Sequence, residues 1–556
     1  MPIDNVSSRT GSRPRRFLGL FAFFAVASVL AACAGSSGDG TGDDAGDGSA
    51  SSSAPVTAPT GVLAGEVFLP ADAEVQLLRS GEDPSAFAVS CAGGVSLRLL
   101  DGVSVLATTD GVAVEGSSVS FPPGSGGHVL EVSDGASSAE VRVRCLPERF
   151  PRIGVEGTFG QWLALTLTTN TLTGPSFQML LDSSGFPVWF RPAANALSDF
   201  TVYDDALLGF NREARLFYPF ANSPGYGFTL ESFDGRKITS WIPETGTGLD
   251  FHAAAPLPNG NLLAVLYEDV DVPLPKGMGV LPFEGSPYGP QCPARAPDAA
   301  SRSLRGRVVE VSPDGSFVHL WRMEDHIPTA PASAQWIDID EGEDLLCAVD
   351  AEHFNAVAFY PDAAGSSTGR VLVTGRHIDG AVMLDWPSGD VLWTLGGVED
   401  ARALRIQGDP FGGPVHPHDA NLIGKDPSGQ DLLLIYDNRV PPEPSRGLVY
   451  RIDPVAGTAT LVETYQQDCG DDPCSAFAMG SSRTTLDGSG ILIGWGTEDV
   501  SATEFSRGTG KPTAELVLGG NWVYRVLPVS RRDHAELFAA QNRLPVERFS
   551  PIAPSD

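Results

Sequence analysis

From about residue 149 onward one short unit recurs: an apolar strand, a turn of the form Asp-x-x-Gly or Pro-x-Gly, and a second strand often ending near Trp. It is read at 181–189 (LDSSGFPVW), at 311–316 (VSPDGS) running on to Trp321, at 384–389 (LDWPSG) running on to Trp393, and at 452–457 (IDPVAG). Glycine supplies the positive φ such a turn needs, and the Asp carboxylate bonds the backbone of its own turn. A strand–turn–strand unit repeated across residues 149–545 points to an all-β fold, a β-propeller. At about 40–65 residues for a four-stranded blade with its loops, six blades fit best. A solenoid or a pair of sandwiches would also accommodate the repeat. The abundance of Gly (63) and Pro (44) favours short strands and turns over long helices.

A chain of 556 residues is too long for one ordinary core, and a second, smaller domain is expected. Residues 60–148 supply it. Strand-like runs at 75–78 (VQLL), 95–99 (VSLRL) and 141–144 (VRVR) alternate with turns, which predicts a small β-sandwich, immunoglobulin-like in spacing. No catalytic cluster falls inside it, so it reads as a spacer or docking module.

The N-terminus reads as a targeting signal. Arg13, Arg15 and Arg16 precede an apolar stretch, Phe17 to Leu30, that is too short for a typical membrane span. Leu30-Ala31-Ala32-Cys33 follows, the form of a bacterial lipobox, which predicts cleavage after residue 32 and a lipid on Cys33. A plain signal peptide ending in Ala-x-Ala is the other reading. Ala34 follows the cysteine, with no Asp there to suggest inner-membrane retention, so anchoring to the outer membrane, periplasmic or surface-exposed, is expected. Residues 34–59 are Gly, Ser and Asp with nothing to form a core, a flexible tether of roughly 25–30 Å root-mean-square span. Residues 546–556 form a C-terminal tail.

Seven cysteines less Cys33 leave six, an even number for an oxidising compartment. Of the fifteen pairings possible, proximity suggests Cys91–Cys145, Cys292–Cys347 and Cys469–Cys474, with Cys347 the first candidate for a free buried thiol. No CxxC spacing indicates a zinc or thioredoxin-like site. The formal charge of −32, with no basic stripe, argues against a nucleic-acid partner. An anionic substrate would therefore need a locally positive pocket.

Nine histidines are present. His128, His319, His326 and His534 stand in ordinary polar or strand contexts. The others fall in three places beside the repeat: DFH ending at His252, HFN at 353–355 followed by TGRH at 374–377, and HPHDANL at 416–422. Equivalent strand ends of a propeller converge on its central channel, so these stretches would gather several imidazoles and a guanidinium around one cavity. Arg forks hold tetrahedral oxyanions in bidentate fashion, and histidines donate, shuttle protons or attack as nucleophiles. Sulfuryl or phosphoryl transfer fits this set, which shows neither a carboxylate triad nor cysteine ligands. A three-histidine metal site is the rival. No phosphate-cradling glycine loop is found, which argues against nucleotide donors.

The stretches DFHAAAPLPNGNLL, HFNAVAF with its later TGRHID, DWPSGDVLWTLGG, HPHDANLI, YDNR and GSSRTTLDGSGILIGWG resemble, in order and spacing, the bacterial arylsulfotransferases that use aryl sulfates as donors. The resemblance runs over residues 149–530. It implies a six-bladed propeller with its site in the central channel, an aryl sulfate donor, a phenolic acceptor and no cofactor. Carried over by motif, the nucleophilic histidine falls on His418, the sulfate-binding histidines on His252 and His353, the Asn on Asn355 and the Arg on Arg376. His416 lies two residues from His418; on a strand the two would face one side. Trp189, Trp321 and Trp393 read as packing rather than a phenol-binding wall. Arg483, Asp437, Asn438 and Arg439 could line the channel or serve turns, and Asp419 could orient an imidazole or cap a turn.

Overall fold

The turn at 182–186 shows how the repeated unit folds. Asp182 Oδ1 accepts from the backbone N–H of Ser184 and Phe186 at 2.9 and 3.0 Å, and Gly185 takes a φ of 84°. That closes the hairpin between the strands Ser176–Leu181 and Pro187–Ala193. Gly315 (φ 84°), Gly389 (φ 78°) and Gly457 (φ 64°) do the same at the other three turns read from the sequence.

The computed structural model describes residues 65–68 and 76–544, apart from 92, 100–101, 124–125, 170–175, 194–198, 204, 211–225, 244–247, 274–280, 283–299, 328–334, 342–343, 399 and 470–471. The signal segment, Cys33, the tether, the tail and the pair Cys292–Cys347 lie outside what it describes. Among the described residues the chain is all-β, with a single α-helix, His534–Asn542. That helix falls where the sequence predicts only strands. Asp533 caps it by accepting from Glu536 N at 2.9 Å.

Between residues 154 and 529 the described strands fall, in chain order, into six sheets of four to seven strands, with a two-stranded ribbon at 468–473 beside them. The sheet at 254–350 departs from the four-stranded expectation. Its strands Leu262–Pro273 and Ala300–Val311 are twelve residues each, and Gln335–Glu341 and Asp344–Asp350 extend it. Strands distant in sequence share two of the sheets. Asn521–Val529 pairs with Trp162–Thr169, and Gly154–Gly157 with Pro512–Val517.

The opening strands of successive sheets pack on one another. Phe354–Pro361 lies against Ala254–Pro256 and against His418–Lys425; His418–Lys425 lies against Ser481–Thr484, and Ser481–Thr484 against Asn521–Val529. Ala254–Pro256 closely follows His252, Phe354–Pro361 follows His353, His418 opens its own strand, and Asn521–Val529 carries Tyr524 and Arg525. Apolar side chains fill the space between sheets, as with Leu433, Ile435 and Leu448 against Leu372 and Met383.

The N-terminal part consists of a four-stranded and a five-stranded sheet that share one apolar cluster, including Val89, Val95, Val119, Phe121, Val132 and Val143. The Cys91–Cys145 disulfide lies in that cluster, and Cys469–Cys474 forms the second described disulfide. Arg144 ties this part to the rest. Its guanidinium donates to Val188 O at 2.8 Å and to Gln541 Oε1, and lies 5.0 Å from the Phe538 ring. Burial lowers its pKa to about 9.

Candidate active site

His418 opens its strand, and the turn before it is held from several sides. Asp437 Oδ1 accepts from Val415 N at 2.7 Å, Asp379 Oδ1 from His416 N at 2.9 Å, and Pro417 O from Asn355 Nδ2 at 2.9 Å. His416 and Asp419 both adopt left-handed backbone, with φ of 47° and 53°. Non-glycine residues pay about 1–3 kcal/mol for that conformation, and such positions cluster at functional sites. His416 therefore sits in the turn and not on the strand, so the same-side argument from strand alternation does not apply to it.

The ring of His418 is buried and fixed. Nδ1 lies 2.6 Å from Asn438 Oδ1 and 3.2 Å from His416 O, so it must carry the proton that both oxygens accept. Nε2 is left with its lone pair and takes no hydrogen bond among the described residues. Burial, with the Arg376 charge behind it, holds the His418 pKa well below the usual histidine value. The ring is thereby held in its neutral form.

The other imidazoles form a contiguous row. Ring centroids are 5.1 Å apart for His252 and His353, 4.8 Å for His353 and His377, and 6.3 Å for His377 and His416. His252 Nδ1 is bonded to Asp250 at 2.5 Å and His353 Nδ1 to Asp350. The sequence motifs marked Asp419, beside His418, as a possible imidazole partner, but neither of these two. Their signal was the short spacing, Asp-x-His at 250–252 and Asp-x-x-His at 350–353. Burial raises the Asp350 pKa to about 8 and pushes that of His353 well down. His353 also has a φ of 48°.

Arg376 lies beside this row. Its NH1 is 2.8 Å from His377 Nε2, its NH2 donates to Phe477 O at 3.3 Å, and its backbone N donates to His353 O at 2.9 Å. Asn355 is fully buried, and its Oδ1 has no partner among the described residues. Tyr524 OH donates to His252 O at 3.0 Å and Tyr267 OH to Phe354 O at 3.0 Å. Beneath them Arg525 is buried, with NH1 3.1 Å from Asp199 and NH2 donating to Asn355 O. His252, His353, Asn355, Arg376 and His418 thus converge, linked through these rings and backbone contacts. Neither Tyr524 nor Arg525 carries a motif that would have marked it.

Other candidates fall elsewhere. Asp419 is held by Arg483, whose Nε lies at 2.9 Å, and by Ser482 N at 3.1 Å, so it does not orient His418. Asp437 pairs with Arg439 and Arg446 at 2.8 and 2.6 Å. Trp189, Trp321 and Trp393 are buried packing residues, the first two with their indole N–H on backbone carbonyls.

Asp350, His353 and His377 present ligand atoms within 4.8 Å of one another, the closest approach to a metal site among the described residues. Their hydrogen bonds oppose it. His377 Nδ1 donates to Asp350 O at 2.8 Å, and its Nε2 faces the permanently charged Arg376. A guanidinium at that point favours an anion over a cation.

The arylsulfotransferase (ASST) family matches residues 291–525, in agreement with the resemblance read from the sequence motifs. That span contains His353, Asn355, Arg376, His418 and Asn438; Asp250 and His252 precede it. No curated protein matches the chain. Among solved structures, a quinoprotein alcohol dehydrogenase-like protein from Bacteroides thetaiotaomicron is 9 % identical, covering 82 % of this chain and 99 % of its own, with a TM-score of 0.29. AztD from Citrobacter koseri is 10 % identical over 68 % of this chain and 100 % of its own, with a TM-score of 0.29. The Dos1 propeller is 9 % identical over 77 % and 88 %, with a TM-score of 0.25. At these scores the likenesses carry neither fold nor function across.

Proposed function

With residues 291–525 matching the arylsulfotransferase family as the premise, we propose that the protein moves a sulfuryl group from an aryl sulfate ester to a phenolic acceptor through a covalent sulfohistidine on His418. The observation that carries this reading is the His418 ring: buried, neutral, with Nδ1–H engaged and Nε2 left as the lone pair, among the imidazoles and the guanidinium of Arg376. In the first half-reaction Nε2 attacks sulfur, the sulfur–oxygen bond to the aryl group breaks, and the phenol leaves. In the second the acceptor oxygen attacks the same sulfur and the Nε2–S bond breaks. Arg376, Asn355, His252 and His353 stabilise charge on the sulfuryl oxygens, and the Asp-partnered His252 or His353 carries the phenol proton. Neither half needs a cofactor. The six sheets are six blades around the channel that holds these residues, and the two-sheet N-terminal part is an immunoglobulin-like spacer. Cys33 carries the lipid that anchors the chain to the outer membrane.

Incubation of the protein with 4-nitrophenyl sulfate tests the reading. Release of 4-nitrophenol that depends on added phenol, with aryl sulfate appearing on that phenol, is expected. No release across a panel of phenols from folded protein would leave a sulfate-binding protein without turnover.

A further inference from the structure

Three channel histidines differ in what their Nδ1 meets. His252 and His353 face the carboxylates of Asp250 and Asp350, whereas His418 faces the amide of Asn438. The Asn438 amide cannot be turned round. Its Nδ2 donates to Ala476 O at 3.1 Å and to Met479 O at 2.9 Å, which spends both N–H groups and leaves Oδ1 for His418. Asn438 is buried, so water does not compete for these bonds. Both of its anchoring carbonyls lie in the segment that follows the Cys469–Cys474 disulfide, and the same segment offers Phe477 O to Arg376.

We infer that Asn438 is a positioning residue that selects His418 as the nucleophile and keeps its sulfuryl adduct reactive; this rests on the sulfuryl-transfer reading above. An amide oxygen accepts the Nδ1–H bond but does not take the proton. When Nε2 bonds sulfur and the phenol departs, the ring therefore retains its Nδ1 proton and the positive charge of an imidazolium. The leaving group of the second half-reaction is then neutral imidazole. A carboxylate in the same place would accept the Nδ1 proton, and the ring of the adduct would become neutral, an N-sulfonate whose leaving group is imidazolate. That adduct forms but transfers slowly. The division of partners, carboxylates for the two proton carriers and an amide for the nucleophile, follows from the chemistry each ring performs.

Two measurements on the full chain test it. In rapid-quench assays with 4-nitrophenyl sulfate, Asn438→Asp is expected to keep a burst of about one equivalent of 4-nitrophenol per chain, while turnover with phenol falls on the order of a hundredfold, the scale of a misplaced proton in general acid–base catalysis. Asn438→Leu is expected to lose the burst as well. Wild-type turnover in Asn438→Asp, or equal loss of burst in both variants, overturns the inference. Independently of substrate, the 15N shifts of His418 are expected to show the Nδ1–H tautomer in the wild type, and its loss in Asn438→Leu. An Nε2–H tautomer in the wild type overturns the orientation outright. A wild type that holds the Nδ1–H tautomer yet turns over no aryl sulfate upholds the orientation and removes the sulfuryl-transfer reading.

Discussion

Asp350 and His353 face each other through carboxylate and Nδ1, and both side chains are almost wholly withdrawn from solvent. Burial disfavours charge on each of them, raising Asp350 to about 8 and lowering His353. Such a pair shares one titratable proton, which it can give to the departing phenolate and take back from the acceptor phenol. Asp350→Asn keeps an acceptor for the imidazole but cannot hold the proton. It is expected to slow turnover by on the order of a hundredfold, and more steeply for less acidic acceptor phenols. A rate-against-acceptor-pKa plot measures this; an equal fall for every phenol would assign Asp350 a purely structural role.

Much of this site was legible in the residues and some was not. The histidines, Asn355 and Arg376 stood out because each lies at the edge of a recurring strand–turn unit. The partners that set their chemistry did not, apart from Asn438, which the sequence marked as a possible channel residue without showing what it meets. Asp250 and Asp350 are two and three residues from their histidines, but a carboxylate near a histidine is common in so acidic a chain. Asn438 meets His418 across twenty residues of sequence, and Tyr524 meets His252 across 272. Those contacts exist only once the sheets are arranged side by side. The hairpin turns at Gly185, Gly315, Gly389 and Gly457 were readable because their physics is local to four residues. The helix at His534–Asn542 was not, since only its cap, Asp533, and the residues it covers distinguish it.

Arg376 is expected to contribute through both charge and geometry. Arg376→Lys keeps a cation but loses the planar fork that reaches His377 and Phe477 O together. Arg376→Ala is expected to cost on the order of 10²–10³ in rate, with the lysine variant recovering only part. Steady-state rates with 4-nitrophenyl sulfate decide this, and full recovery by lysine would reduce the role to charge alone.

Arg525 is expected to matter for folding. It lies 3.1 Å from Asp199 and 3.9 Å from Asp419 in a fully buried position. Arg525→Met strands the Asp199 carboxylate, whereas Asp419 keeps Arg483, and is expected to destabilise the fold by about 3–5 kcal/mol. Denaturant titration measures it, and a change within about 0.5 kcal/mol would contradict this placement.

The pH dependence of stability carries the signature of the buried imidazoles. Burial lowers the His416 pKa to about 3, so below neutrality the unfolded chain binds a proton there that the folded chain does not. Stability contributed by the neutral ring is therefore present above the ordinary histidine value and is lost as pH falls toward 3. Between pH 7 and 5 the loss is up to about 2 kcal/mol for this one group. Asp350 runs the other way, since its raised pKa makes the folded state the better proton binder between about pH 4 and 8. Comparing wild type with His416→Gln isolates the first effect: the variant is expected to lose less stability from pH 7 to pH 5. Equal losses would place His416 in solvent.

The account turns on a covalent bond to one nitrogen. Mixing the protein with aryl sulfate in the absence of acceptor, quenching, and mapping the adduct by peptide mass spectrometry tests that bond directly. The expected result is one sulfuryl group on His418 itself, placed there and not on His416 by fragmentation of the peptide that carries both, discharged by added phenol and absent in His418→Ala. A sulfuryl group on His416 or any other residue, or sulfuryl transfer persisting in His418→Ala, would contradict it.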